Sequence, residues 1–387
     1  MKLSIQVQKI MDTVTLDNSR QEKAKEYARI GRQLFVVELV LGAVYVLAWI
    51  FLGLSPWLRD QIYQLTRLFW LALPLFALGF GLPYSIITAP LDYYSGFVLP
   101  HRYGQSTQSL GDWLKDQLKG VALSGVLGLI VLLVIYGLLT VAPNTWWLWA
   151  AGVMLLFSVL LTNLAPVLIF PLFYKYKPLD DTELVARLTQ LAERAGARVN
   201  GVFAFDMSSK TVAANAALMG LGSTHRIVLG DTLVSQFTHA EIETVLAHEL
   251  GHHVHHDLPL GILVQSGLTL IGFWLADAVM RWGVTRFGYT GLADPATLPL
   301  LLVALAVFGL ITMPLGNAWS RWREVLADRY ALETTGQPQA FINAMTRLAN
   351  QNLADTEPPA WVEFLLHSHP SISKRVALAQ AYQKVPR

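Results

Sequence analysis

The run Thr238-His-Ala-Glu241-Ile-Glu-Thr-Val-Leu-Ala-His248-Glu249-Leu-Gly-His252-His253 leads almost directly into an apolar stretch, 260–281. Read together, the two halves decide the fold. The first half opens on an S/T-x-x-E capping box, Thr238 to Glu241, which starts a helix. His248 and His252 are four apart on that helix, so both imidazoles leave one face and can share a metal ion. Glu249 follows the first His and is placed to take a proton from water held at such a metal. Val245, Leu246, Ala247, Leu250 and Gly251 carry no charge, so this helix is buried. Neutral imidazoles suit zinc when no thiolate is offered, and the chain has no Cys. His252 and His256 repeat the spacing, but no Glu follows His252 and that pair lacks a base. Residues 238–257 are too polar for hydrocarbon, whereas 260–281 has the roughly 20 residues that a membrane crossing needs.

Five more such runs lie outward from this junction, at about 34–54, 68–90, 121–141, 147–172 and 298–318. Hydrophobic residues make up 53% of the 387, and charged residues only 14%. A soluble chain carries about 25% charged residues, so the composition belongs to a polytopic membrane protein. With an N-terminus in the cytoplasm, the six crossings return the C-terminus to the same side. Seven Lys/Arg in 1–33, three in 91–120, seven in 173–259 and eight in 319–387 then lie inside. Only Arg59, Arg67, Arg281 and Arg286 lie outside. Long domains weigh less in the positive-inside rule, but the arm and the 91–120 loop agree without them. The expected fold is therefore mainly α and polytopic, in five segments. These are a cytoplasmic arm, 1–33; four transmembrane helices in 34–172 around a loop at about 91–120; a cytoplasmic segment, 173–259; two transmembrane helices in 260–318; and a cytoplasmic segment, 319–387. Residues 1–33 have no apolar core, so no cleavable signal peptide is expected. A net charge of +2 argues against nucleic acid as a partner, and the absence of Cys excludes disulfides and thiolate chemistry.

A catalytic zinc needs a third protein ligand and an open position. Residue 258 is Leu, so no H-E-x-x-H-x-x-G-x-x-H pattern is completed and the ligand comes from a later segment. Just past the sixth crossing, Arg323-Glu324-Val-Leu-Ala-Asp328 sets two carboxylates four apart. Such a pair usually marks a solvated face. At the same membrane surface as His248, it suits a Glu324 ligand with Asp328 behind it, bonding a ligand His on its other nitrogen. Residues 182–196 read as an amphipathic helix, and Val199–Phe205 and Arg226–Leu229 as strands, with Asn215 on a third between them. An open strand edge beside the metal would hold an extended peptide; Asn215 either bonds that peptide or caps a turn. Glu38, Asn163, Gln265, Asp277 and Asn317 lie within the crossings. Each faces a wet chamber, snorkels toward the interface or makes one helix–helix hydrogen bond.

At this point the chain resembles the type I CAAX prenyl endopeptidase family, integral-membrane zinc metalloproteases that cut after a prenylated cysteine. Gln8-Lys-Ile-Met-Asp12 and Ser19-Arg20 are similar to the family's N-terminal arm. Arg102-Tyr-Gly-Gln-Ser-Thr107 with Trp113-Leu-Lys-Asp116 is similar to its H-G-F-N-x-x-T loop. Ala165-Pro-Val-Leu-Ile-Phe-Pro-Leu-Phe173 with Lys177-Pro-Leu matches a family helix end. Asn215-Ala-Ala, Gly220-Leu-Gly and Arg226-Ile-Val-Leu-Gly-Asp231-Thr-Leu resemble a strand pair. His369-Pro370 with Arg375 resembles the H-P-x-x-x-x-R element. Their order along the chain is more specific than any one of them.

The resemblance implies a small α+β gluzincin-like zinc protease domain on the cytoplasmic side, below which membrane helices enclose a large chamber. It implies zinc ligands His248, His252 and Glu324, with Glu249 as base and Asp328 supporting the first His. Asn215, Ala216 and His369 match positions that contact the peptide. His369 would donate to the oxyanion, although by sequence alone it reads as a surface His. Arg375 is left with two roles, orienting that loop beside the substrate or pairing with a carboxylate. Eukaryotic members have one more crossing and longer loop insertions, which suggests a prokaryotic member. The expected partners are a peptide or protein substrate, prenylated by the resemblance, and the lipid bilayer of the cell membrane. Two other readings stand beside this one: a quality-control membrane protease with unprenylated substrates, and, further off, a metal-binding channel or transporter.

Overall fold

A computed structural model describes residues 14–220 and 225–384. The arm motif Gln8–Asp12 and part of Gly220-Leu-Gly lie outside the described residues. Among the described residues, six helices are long and apolar enough to cross a membrane: α1 (Asn18–Phe51), α3 (Phe69–Arg102), α4 (Leu110–Val141), α5 (Trp146–Phe173), α9 (Asp257–Phe287) and α10 (Leu298–Thr335). A short helix, α2 (Leu54–Leu65), links the first two spans. Pro74, Pro83 and Pro90 sit inside α3, and π-turns at Tyr94–Val98 and Ala165–Ile169 interrupt the ends of α3 and α5. Each feature removes or reroutes a backbone hydrogen bond and bends its helix.

The spans outrun their apolar windows. α10 has 38 residues, about 57 Å at 1.5 Å each, nearly twice the roughly 30 Å of hydrocarbon. Its second half, starting near Trp319, therefore projects out of the bundle as a rigid arm. In space each span packs on the next, and α10 packs back on α1, so the six close a ring. In four of the six, 11% or less of the apolar window is buried. A tightly packed bundle would bury a stripe of about 100° on each helix, more than a quarter of its surface. Most of the apolar surface of these spans is therefore not packed against a neighbouring span.

Two cores hold this shell together. One gathers Phe76, Tyr136, Trp146, Met280 and Leu298 where α1 ends, α3 begins, α4 ends and α10 begins, which closes one end of the ring. The other contains Leu184, Leu188, Ile227, Leu229, Leu246 and Phe341, and it lies at the opposite end, where the long polar segments meet. There α6 (Thr182–Arg194), α7 (Asp231–Gln236), α8 (His239–Val254), α11 (Pro338–Gln351), α12 (Ala360–Leu366) and α13 (Ile372–Gln383) surround a four-stranded sheet. Its strands are β1 (Tyr176–Pro178), β2 (Val199–Phe205), β3 (Ala216–Met219) and β4 (His225–Gly230), in the order β1-β2-β4-β3. β2 and β4 run parallel, β1 and β3 antiparallel to their neighbours. β3 is an edge strand, and it lies against α8. It begins at Ala216, one residue later than expected; Asn215 turns into it with its side-chain Oδ1 accepting from the Ala216 amide at 2.8 Å. The loop before α4 joins this end too, through a bridge between Ser106 and Thr211 and a 2.8 Å bond from Thr107 Oγ1 to the Ser208 carbonyl.

Polar residues of the spans mostly make local bonds. Asp277 accepts from Trp146 Nε1 at 2.7 Å and from Arg281 Nε at 2.8 Å, and Asn163 donates to the Val159 carbonyl at 2.8 Å. Asn317 donates to the Leu365 carbonyl at 2.7 Å, and Gln265 reaches Thr269 Oγ1 at 3.5 Å. Gln265 and Asn317 also line a cavity of about 460 Å³ beside α5, α9 and α10, and Glu38, with Tyr45, Tyr84 and Val303, lines one of about 380 Å³ between α1, α3 and α10.

Candidate active site

The capping box forms as its spacing predicts. Thr238 Oγ1 accepts from the Glu241 amide at 3.3 Å, and the Glu241 carboxylate accepts from the Thr238 amide at 2.8 Å. From this fixed start α8 runs sixteen residues and brings His248 and His252 to one face. Their Nε2 atoms are 3.2 Å apart and their rings nearly perpendicular. The projecting half of α10 crosses α8 there. Gly251 makes the crossing possible, because a Cβ on it would sit 2.8 Å from the Ala327 Cα. The crossing delivers Glu324, whose Oε2 is 3.3 Å from His248 Nε2 and whose Oε1 is 3.5 Å from His252 Nε2.

These three side chains converge, with one possible ligand atom from each inside a 4.8 Å group. Each His is engaged on its outer nitrogen: His248 Nδ1 lies 2.8 Å from Asp328 Oδ1, and His252 Nδ1 lies 2.7 Å from Asp257 Oδ2. Those bonds turn both Nε2 lone pairs inward, where neither can donate to the other. Glu324 is buried, and its Oε2 accepts no hydrogen bond. His248 is near enough but not in line to donate to it. An orphaned buried carboxylate oxygen is costly. A cation held between the three groups satisfies all of them at once. Two metal–nitrogen bonds of about 2.0–2.1 Å at a tetrahedral angle place the nitrogens about 3.3 Å apart, close to the observed spacing. The electrostatics agree: burial and Arg375 disfavour a charge on His248, yet Asp328 and Glu324 outweigh them and raise its pKa to about 9. The pocket attracts positive charge, and its donor set fits a metal.

Glu249 stands beside His248, half-buried, with no hydrogen-bond partner among the described residues. His369 enters from the loop after α12, with its Nε2 3.2 Å from Glu324 Oε1 and its side chain 60% exposed. Arg321 anchors that loop by donating to the Glu363 and His367 carbonyls at 2.8 and 2.6 Å. Asn215 is exposed at the start of the open β3 edge, and Ala216 follows it in the strand. Arg375 pairs with a carboxylate. It donates to Asp328 from Nε at 2.8 Å and Nη2 at 2.6 Å. With only 12% of its side chain exposed, it sits behind His248. Asp257 and Arg323 had not been singled out by sequence. A carboxylate at the start of the next helix and an arginine adjoining Glu324 were the available signals.

Comparison with known proteins follows the two halves of the chain. A model of peptidase family M48 matches residues 178–383. A model described as CAAX prenyl protease N-terminal, five membrane helices, matches residues 8–175; four of the spans found here lie in that region. An uncharacterized metalloprotease of Bacillus subtilis, YhfN, is 31% identical, over 94% of this chain and 86% of its own length. A probable CAAX prenyl protease 1 of Schizosaccharomyces pombe is 29% identical, over 93% of this chain and 79% of its own. The crystal structure of S. mikatae Ste24p superposes with a TM-score of 0.84 at 25% identity, covering 96% of this chain and 93% of that one.

Proposed function

Since this chain belongs to peptidase family M48, we propose that it is a zinc endopeptidase cleaving C-terminal, CAAX-type prenylated peptides at the cytoplasmic face of a cell membrane. The observation that carries this reading is the buried Glu324 oxygen, without a donor, beside two inward-facing imidazole nitrogens. His248, His252 and Glu324 would hold the zinc, which supplies a Lewis acid for the scissile carbonyl and acidifies a water. Glu249, whose carboxylate is not engaged elsewhere, takes the proton of the attacking water and passes it to the leaving amine. His369 is tethered by its loop but has an exposed ring, and donates to the oxygen that gains charge. The open edge of β3 pairs with an extended peptide, and the Asn215 amide adds a bond to its backbone. Asp328 and Arg375 keep His248 oriented.

The names of the relatives support a prenylated substrate, and so do the largely unburied apolar windows of the six spans beside the site. The cytoplasmic orientation rests on 25 of 29 cations falling on one side of the six crossings. Incubation of the purified enzyme with a farnesylated CAAX peptide and its unprenylated twin tests the substrate. Cleavage of the farnesylated peptide at a kcat/KM at least tenfold higher supports the proposal. Equal rates, lost in both cases with Glu249→Gln, would instead favour a quality-control protease. Ion flux that survives Glu249→Gln, without cleavage, would favour a channel.

A further inference from the structure

The two imidazoles of the metal site are backed in the same way from opposite sides. His248 leans on Asp328, which is clamped by Arg375. His252 leans on Asp257, whose Oδ1 accepts from Arg323 Nε at 2.6 Å. Arg323 Nη2 also contacts Asp257 Oδ1 and reaches the His255 carbonyl at 2.6 Å. Both Asp257 and Arg323 are largely shielded, at 14% and 10% side-chain exposure, and Arg323 lies over the rings of Trp319 and Trp322. From the geometry we infer that Asp257 and Arg323 are positioning residues for His252, and that through them the metal site is braced on the fifth and sixth membrane helices.

The local backbone shows how this is built. Five residues apart on an unbroken helix, His252 and Asp257 would point about 140° away from each other. They meet because α8 stops at Val254 and His256 takes a left-handed conformation, φ 55, before α9 begins at Asp257. A non-glycine residue is rarely found there, and at this position it turns the carboxylate back onto the metal ligand. Asp257 is the first residue of the fifth span, and Arg323 sits on the projecting part of the sixth, next to Glu324. His252 is thus held by one hydrogen-bonded circuit that ties α8, α9 and α10 together and ends on Arg323, the chain neighbour of Glu324. The circuit does for His252 what Asp328 does for His248: it fixes the neutral tautomer that points Nε2 at the metal, and it holds the ring against rotation.

The inference rests on the metal-binding reading above but not on the identity of the substrate, so its test measures metal directly. Full-length enzyme in detergent is titrated with zinc against a chromophoric chelator. Asp257→Ala is expected to weaken zinc binding by about 10–100-fold, with Asp257→Glu recovering part of the loss. Arg323→Ala shifts affinity in the same direction by less. Asp257→Asn, which keeps shape and an acceptor but not the charge, decides the case if Asp257→Ala does not fold. In cobalt-substituted enzyme the visible absorption band of Asp257→Asn moves, because the orientation of one ligand has changed. A role in packing alone would lower the thermal midpoint and leave both readouts untouched. Wild-type zinc affinity and an unchanged cobalt spectrum in folded Asp257→Asn would overturn the inference. Failure of the wild-type enzyme to bind zinc would overturn it together with the metal reading.

Discussion

Gly251 shows how much of this site depends on single atoms. Its missing side chain lets α8 and α10 touch at Ala327, and a Cβ there would meet backbone at 2.8 Å, which no rotamer change relieves. Gly251→Ala therefore forces the helices apart where Glu324 must reach the two His residues. We expect a loss of about 1–3 kcal/mol in stability with weaker zinc binding. Measuring the thermal midpoint and the zinc affinity of the same sample checks both; a variant with wild-type values for each would show that the crossing is not tight. His248, His252 and Glu249 were legible in sequence because one helical period sets their geometry. Glu324 could be nominated only through topology, because 71 residues of chain lie between it and His252. Asp257 was not legible: the five-residue spacing points it away from His252 until the left-handed turn at His256 is known.

At the scale of elements, α8 and α10 divide the work. The capping box makes α8 a fixed starting point. Thr238→Ala should cost about 1 kcal/mol and lower the thermal midpoint while zinc affinity stays within twofold, since the ligands lie three turns away. A large fall in affinity would mean that the helix start is not independent of the site. α10 carries both an apolar span and Glu324 on one continuous helix, which its apolar run at 298–318 conceals. Hydropathy marks where lipid ends, but not where the helix does: each apolar run falls on one of the six long helices, and most of these helices run on well beyond it. β3 was anticipated for similar reasons of pattern, and its position as an exposed edge came only from the strand order β1-β2-β4-β3.

The whole molecule separates its chemistry from its closure. The proposed catalytic groups gather at one end of the ring, and the other end is sealed by the core around Phe76, Tyr136 and Trp146 and by a buried ion pair, Arg59 Nη1 to Asp294 Oδ2 at 2.5 Å. Asp294 also accepts from the Thr290 hydroxyl and the Ala296 amide, both at 2.9 Å. Asp294→Ala leaves Arg59 short of its buried partner and should cost about 3 kcal/mol. It should lower the thermal midpoint without changing zinc affinity in the folded fraction. If affinity fell in step with stability, the two ends would be one cooperative unit and not two. The six crossings and their low charge were visible in composition, whereas the closed ring was not, because nothing in an apolar run says which neighbour it packs against. The central claim is that His248, His252 and Glu324 hold zinc while Glu249 moves the proton. Its most direct test is to measure bound zinc and peptide cleavage together in Glu249→Gln. The account predicts one zinc per chain, as in the wild type, with turnover reduced by about 10²–10⁴-fold. Cleavage at the wild-type rate with zinc in place would contradict it.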